Sequence, residues 1–192
     1  MQETLDRKNQ LKEVAQSLFK EKGYVGASMR DMAQTLGIEA PSIYNHVSSK
    51  QELLSKICFD IASQYSEIIV NIKRSGYNHP GLILQTIIEE HVKVVISNIE
   101  AAAVFHNEWR FLEDPDHSRF LEMRCEYEDY VENVIKDGVS NAVFKTNNTK
   151  LCTLSLLSTL NGIYHWYSDN GNLNARDISH NILNLFFLGL KR

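Results

Sequence analysis

Apolar residues recur at helical spacing along the whole chain, and nowhere do they alternate with polar ones over a useful strand length. That pattern selects an all-α fold. Leu11, Ala15, Leu18 and Phe19 stand at i, i+4, i+7 and i+8, one face of a 3.6-residue period with charges on the other side. Only three prolines interrupt the 192 residues, and proline is the residue a helix interior tolerates least. The spacing predicts about nine helices, over 4–22, 28–36, 40–47, 49–75, 80–98, 99–112, 116–143, 148–168 and 174–190. They are separated at Gly23, Gly37, Ser75-Gly76, Asp114-Pro115, Thr146-Asn147-Asn148 and Asp169-Asn170-Gly171.

The first fifty residues hold the densest signals. Ser28 and Asp31 have the spacing of a capping pair ahead of Met29, Met32, Ala33 and Leu36. Gly37 ends that helix after about two turns, and Pro41 occupies the first turn of the next, where its missing donor does no harm. Ile43 and Val47 face inward, which leaves Ala40, Pro41, Ser42, Tyr44, Asn45 and His46 outside. Ser48 or Ser49 then caps a long fourth helix, with Gln51 or Glu52 completing the box. Two short helices across a glycine turn, braced by a longer one, make a helix-turn-helix, and the small polar face of the second suits a major groove about 12 Å wide. A plain helical bundle needs the same caps and glycines, so pattern alone leaves both readings open.

Net charge is −4, but the acidity is uneven. Residues 1–56 carry eight Lys/Arg against seven Asp/Glu, and the remainder twelve against seventeen. The first domain thus keeps enough cations for a polyanionic partner. Cys58, Cys125 and Cys152, odd in number and far apart, read as reduced thiols in a cytoplasmic protein. The polar N-terminus has no signal-peptide pattern, and no apolar run is long enough for a bilayer, so no membrane partner is expected. There is no His-Glu-x-x-His, Cys-x-x-Cys, Gly-x-Ser-x-Gly or glycine-rich phosphate loop. Glu89, Glu90 and His91 are adjacent and diverge around their helix. The expectation is therefore a chain that is not an enzyme, with no catalytic residue, metal or cofactor.

No Gly/Ser/Pro linker divides the chain, and the fourth helix runs on from residues 1–48, the expected helix-turn-helix domain, into residues 49–192, the expected effector-binding and dimerisation domain. Its last two helices are apolar on more than one side. The economical partner for that surplus is a second copy meeting Leu156, Leu160, Ile178, Ile182, Leu185 and Phe186 across a two-fold axis, a thick monomeric core being the alternative. A homodimer would set two recognition helices about 34–36 Å apart on one face of DNA. Polar and aromatic groups embedded in this half are candidates for an effector pocket: His91, Phe105, His106, Trp109, Arg124, Tyr127, Asn161, Tyr164, His165 and Trp166. Ordinary core packing remains open for any one of them.

The run Phe19…Gly23-Tyr24…Ser28-Met29-Arg30-Asp31-Met32-Ala33…Leu36-Gly37-Ile38…Ser42-Ile43-Tyr44-Asn45-His46-Val47-Ser48-Ser49-Lys50-Gln51-Glu52-Leu53-Leu54 resembles the DNA-binding segment of the TetR family of repressors over nearly all of residues 10–54. The resemblance implies that Ser28, Tyr44 and Lys50 hold operator phosphates, with Arg30 in the same DNA-facing set. It sets Ala40, Pro41, Ser42, Asn45 and His46 nearest the base edges. Asn45 is the best base reader by chemistry, its amide matching adenine; His46 either braces the helix or touches phosphate. Two positions depart from the family pattern: Glu39 replaces a small hydroxyl cap, and Val47 a phenylalanine. His106-Asn107-Glu108-Trp109-Arg110-Phe111-Leu112 and Asn161-Gly162-Ile163-Tyr164-His165-Trp166-Tyr167-Ser168-Asp169-Asn170-Gly171, with a final helix ending Leu188-Gly189-Leu190, are similar to the branch regulating fatty-acid, phenylacetate and steroid-ring catabolism. That likeness implies an acyl-CoA thioester as effector, its phosphates meeting Arg110, Arg119 or Arg124. The expectation is a repressor that binds a palindromic operator as a dimer and is released by the effector. A hydrophobic drug-like effector controlling efflux is the alternative within this class, and a protein-binding helical adaptor the alternative outside it.

Overall fold

The computed structural model describes residues 2–190. Their helices are α1 (Gln2–Gly26), α2 (Met29–Thr35), α3 (Ala40–Ile43), α4 (Lys50–Ser75), α5 (Pro80–Ser97), α6 (Ile99–Asn107), α7 (Asp116–Ser140), α8 (Thr149–Asn161) and α9 (Ala175–Leu190). Short 3₁₀ turns follow α6 at Trp109–Phe111 and α8 at Gly162–His165. The all-α expectation holds, with shifts at some ends. The residue 40–47 segment is regular only to Ile43. Beyond it Tyr44, Asn45 and His46 reach back three residues, their N–H groups donating to the carbonyls of Pro41, Ser42 and Ile43. The segments expected at 99–112 and 148–168 each tighten into a 3₁₀ turn before they end.

The helices gather into two compact units. One takes the chain up to Ile61 together with Glu100–Leu121; the other takes Ala62–Ile99 and the chain from Glu122 onward. The boundary expected at residue 48 followed chain order, whereas packing adds the first turns of α4 and a distant second stretch.

In the first unit, Leu11, Ala15, Leu18 and Phe19 are all buried, so the stripe read from the sequence is the core face of α1. Met32, Ile43, Val47, Leu54, Ile57, Val104 and Phe120 close this core. Gly23 interrupts α1 at φ 72°, ψ 163°, leaving the Tyr24 N–H without a helical acceptor. Glu108 supplies one, its Oε2 accepting from Tyr24 N at 2.8 Å. An unpartnered amide there would cost about 1–3 kcal/mol.

In the second unit α5 is the central element. Leu84, Ile87, Ile88, His91, Val92 and Val95 are buried as it packs on α9, on α8 and on the 3₁₀ turn at 162–165. Asn148 caps α8, its side-chain oxygen accepting from Leu151 N at 2.9 Å, and Asn174 caps α9 by accepting from Asp177 N at 3.0 Å. α7 ends in the complete C-terminal motif in which Val143 N donates to Gly138 O and Ala142 N to Val139 O, with Ala142 left-handed at φ 57°. Phe144 then folds over Gly138, where any Cβ would collide with its ring.

Candidate functional site

The helix-turn-helix is built by local rules. Ser28 accepts from Asp31 N at 3.1 Å while Asp31 accepts from Ser28 N at 2.9 Å, a reciprocal cap that starts α2. Hydrogen bonds from the Ser28 hydroxyl and amide hold the Asp31 carboxyl below its usual range. α2 ends at a left-handed Gly37, φ 64°, where Ile38 N donates to Ala33 O and Gly37 N to Gln34 O. With its backbone thus satisfied, the turn delivers α3 at a fixed angle. Ile43 and Val47 are buried beneath it. Pro41, Asn45 and Tyr44, the last 57% exposed, face out, while Ala40 and Ser42 are half-buried. His46 is half-buried too, and its Nδ1 is sequestered without a partner, so one edge of the ring is turned into the protein. Arg30 is exposed on α2.

Lys50, for which the resemblance implies a phosphate contact, is tied to the end of α1 in this structure. Its Nζ donates to Tyr24 O at 2.8 Å and Ala27 O at 2.9 Å, and lies 4.2 Å from the centre of the Tyr24 ring. It therefore closes the end of α1. Tyr24 is the hub of this corner: its hydroxyl donates to Gln51 Oε1 at 2.7 Å, and its ring stacks on Phe111 at 5.5 Å. Gln51 Nε2 in turn donates to Phe111 O at 3.0 Å. Residues 108–111 thus clasp the helix-turn-helix from within the same unit.

The residues expected to line an effector pocket are divided between the two units. Phe105, His106 and Trp109 belong to the first unit, where Phe105 and Trp109 both pack on Phe120 and Trp109 stacks on His117. His91 and Tyr127 meet in the second unit, sharing a hydrogen bond between Nδ1 and Oη at 3.1 Å. Tyr65, which the sequence reading did not select, stacks on both, its ring 4.5 Å from His91 and 5.1 Å from Tyr127. The signal was present: Tyr65 stands in the α4 stripe Ile61, Tyr65, Ile68, Ile72, a polar tip among apolar neighbours. Burial pushes both phenols well above their ordinary pKa, so both stay protonated and able to donate. Arg124 is half-buried, and burial lowers its pKa. Asn161 and Tyr164 are half-buried around the 3₁₀ turn after α8, and His165 and Trp166 are exposed. The second unit also carries an open groove of about 540 Å³ between α4 and α5, lined among others by Glu67, Ile68, Ile72, Glu90 and Val94. None of the expected effector residues lines it.

Of the expected dimer residues, Leu156, Leu160, Ile178 and Ile182 are buried within the subunit and Phe186 is half-buried. Leu185 is 74% exposed, and so is Leu188; Leu151, at 60%, and Leu154 join them as apolar side chains left in solvent on α8 and α9. Among the described residues no cluster of His, Cys, Asp and Glu could hold a metal ion, and no helix is long and apolar enough to cross a membrane.

Comparison with known proteins gives this geometry a context. A family model described as bacterial regulatory proteins, tetR family, matches residues 11–57, and one described as tetracyclin repressor-like, C-terminal domain, matches residues 83–190. The chain is 24% identical over 190 residues to the HTH-type transcriptional repressor KstR2 of Rhodococcus jostii (strain RHA1), covering 96% of this chain and 91% of that protein. The structure of the ketosteroid transcriptional regulator KstR2 of Mycobacterium tuberculosis superposes with a TM-score of 0.86 at 20% identity, covering 97% of this chain and 95% of that one. That of AibR in complex with isovaleryl coenzyme A and operator DNA superposes with a TM-score of 0.80 at 19% identity, covering 94% and 98%. With both family models matched in order, and a helix-turn-helix at the matched place, the chain belongs to the TetR family of bacterial transcription regulators.

Proposed function

We propose that this regulator is a cytoplasmic homodimeric repressor that grips a palindromic operator with α2 and α3 and releases it when an acyl-CoA thioester binds the second unit. The carrying observation is the pinned α2–Gly37–α3 corner with Pro41, Tyr44 and Asn45 facing solvent. A recognition helix needs that combination of a fixed angle and an uncommitted outer face. Tyr44 supplies a phosphate contact and Asn45 a base contact, while Lys50 acts by holding α1 in place.

Dimerisation is supported by Leu151, Leu154, Leu185 and Leu188, whose exposure is hard to reconcile with a free surface. The acyl-CoA reading is supported by the ligand named for AibR. It is supported also by the Tyr65–His91–Tyr127 cluster, whose protonated phenols suit a carbonyl in an apolar surround. α4 is one helix from Lys50 to Ser75, its first turns in one unit and its last in the other, which suits it to carry a shift. A ligand preferring the released conformer by about 1–3 kcal/mol weakens operator binding by about 5- to 150-fold.

The test begins with duplexes selected from a random library by the full-length protein, whose affinity is then measured at 50 and 200 mM salt and with a series of acyl-CoA thioesters. Phosphate contacts predict a steep salt dependence. An acyl-CoA of matching chain length lowers affinity, while free CoA and the free acid do not. Salt-insensitive binding would overturn the operator reading, and indifference to every thioester the effector reading.

A further inference from the structure

Three acidic residues lie between Ser28 and Glu52, and two are committed. Asp31 is bound in the cap of α2. Glu52 accepts from Ser48 N at 2.7 Å and from the Ser48 hydroxyl at 2.6 Å, which holds its pKa below the usual range. The third, Glu39, stands at the N-cap of α3 and makes no capping hydrogen bond. Its side chain is exposed, and among the described residues it forms no ion pair. Ser42 N donates to Glu39 O at 2.8 Å, which joins Glu39 to the first turn of α3, and both Glu39 and Asn45 are exposed. The N-terminal residues of a recognition helix are those that approach base edges.

An uncommitted carboxylate carried into a polyanion raises the energy of the complex unless it meets a donor. In the major groove, guanine offers two acceptors, thymine an acceptor and a methyl group, and adenine an amino donor beside the N7 acceptor. Only cytosine presents its N4 amino group without a neighbouring acceptor on the same base. We infer that Glu39 is a specificity-determining residue that accepts a hydrogen bond from cytosine N4, fixing a C·G pair in each half-site and penalising other bases there. The inference rests on the reading that α3 enters the major groove.

The experiment selects duplexes from a random library with the full-length wild-type protein and with Glu39→Gln and Glu39→Ala, then measures each protein on the wild-type consensus and on its single-base variants. The wild type enriches one symmetric cytosine per half-site, and replacing it weakens binding roughly 5- to 150-fold. Glu39→Ala loses that preference and keeps the others. Glu39→Gln, whose amide also donates, accepts adenine at the same position. Because Glu39 contributes no cap, thermal denaturation of both variants matches the wild type, which separates the effect from misfolding. If the variants select the same consensus and merely bind every sequence more tightly by one common factor, Glu39 only repels phosphate and the inference is overturned. If the wild type enriches no sequence at all, the groove reading itself fails, and this one with it.

Discussion

The left-handed residues closing α2 and α7 form a reciprocal pair. Gly37 at φ 64° and Ala142 at φ 57° hold the same position in the same C-terminal motif, each followed by the 6→1 bond, at 3.0 Å for Ile38 N and 2.8 Å for Val143 N. No atom lies within 4 Å of a Cβ built on Gly37, and Ala142 is exposed, so packing contributes little at either site. The left-handed region costs an L-residue about 1–2 kcal/mol, and glycine gives back roughly 0.5–1 kcal/mol through the greater entropy of its unfolded chain. Gly37→Ala should therefore destabilise by about 1 kcal/mol, and Ala142→Gly should stabilise by about the same. For a chain of this length that is about 2–4 °C in Tm, downward in one case and upward in the other. Urea denaturation at fixed protein concentration measures both, since dimerisation would make midpoints concentration-dependent. Two shifts of the same sign would refute the backbone argument. A loss above about 3 kcal/mol for Gly37→Ala would refute the absence of a steric component.

Other substitutions separate the remaining roles. Lys50→Ala removes a cation donating to two carbonyls and should cost about 1.5–3 kcal/mol of stability; weaker operator binding with unchanged denaturation would return Lys50 to the phosphate contacts. Tyr44→Ala should weaken binding to all duplexes alike, whereas Asn45→Ala should lower discrimination at one base by about 1–3 kcal/mol, as competition between operator variants would report. Burial pushes the Cys58 thiol up to about 12, so at pH 8 it carries almost no thiolate. Thiol titration of the native protein should accordingly modify exposed Cys125 first and Cys58 only on unfolding; early loss of Cys58 would contradict its burial. Replacing Leu185 and Leu188 together with Glu should yield monomers in sedimentation, and a persistent dimer would place the interface elsewhere.

The parts legible in the sequence are those set by short-range chemistry. The α1 stripe, the Ser28–Asp31 cap and the Gly37 turn each depend on residues within a few positions of one another, and each stands where the pattern puts it. The long-range corner around Tyr24 was not legible. Glu108 reaches an amide 84 residues away, made available only by the break at Gly23. The two carbonyls that Lys50 meets, on Tyr24 and Ala27, lie more than twenty residues away and leave no local signal. Phe105 and Trp109 have the composition of a pocket wall, and composition does not say that Phe120 fills the space beside them. Tyr65 lies within a regular apolar stripe, where an aromatic reads as core.

The first unit is assembled from two lengths of chain, with residues 62–99 intervening. As the nascent chain emerges, the helix-turn-helix appears early, yet the acceptor for its Tyr24 amide and the ring that stacks on Tyr24 arrive only with residues 108–111. Until residues 108–111 are made, the Tyr24 amide and ring therefore lack these two partners. A fragment ending at Ile61 would lack the clasp that the finished protein uses to hold that corner.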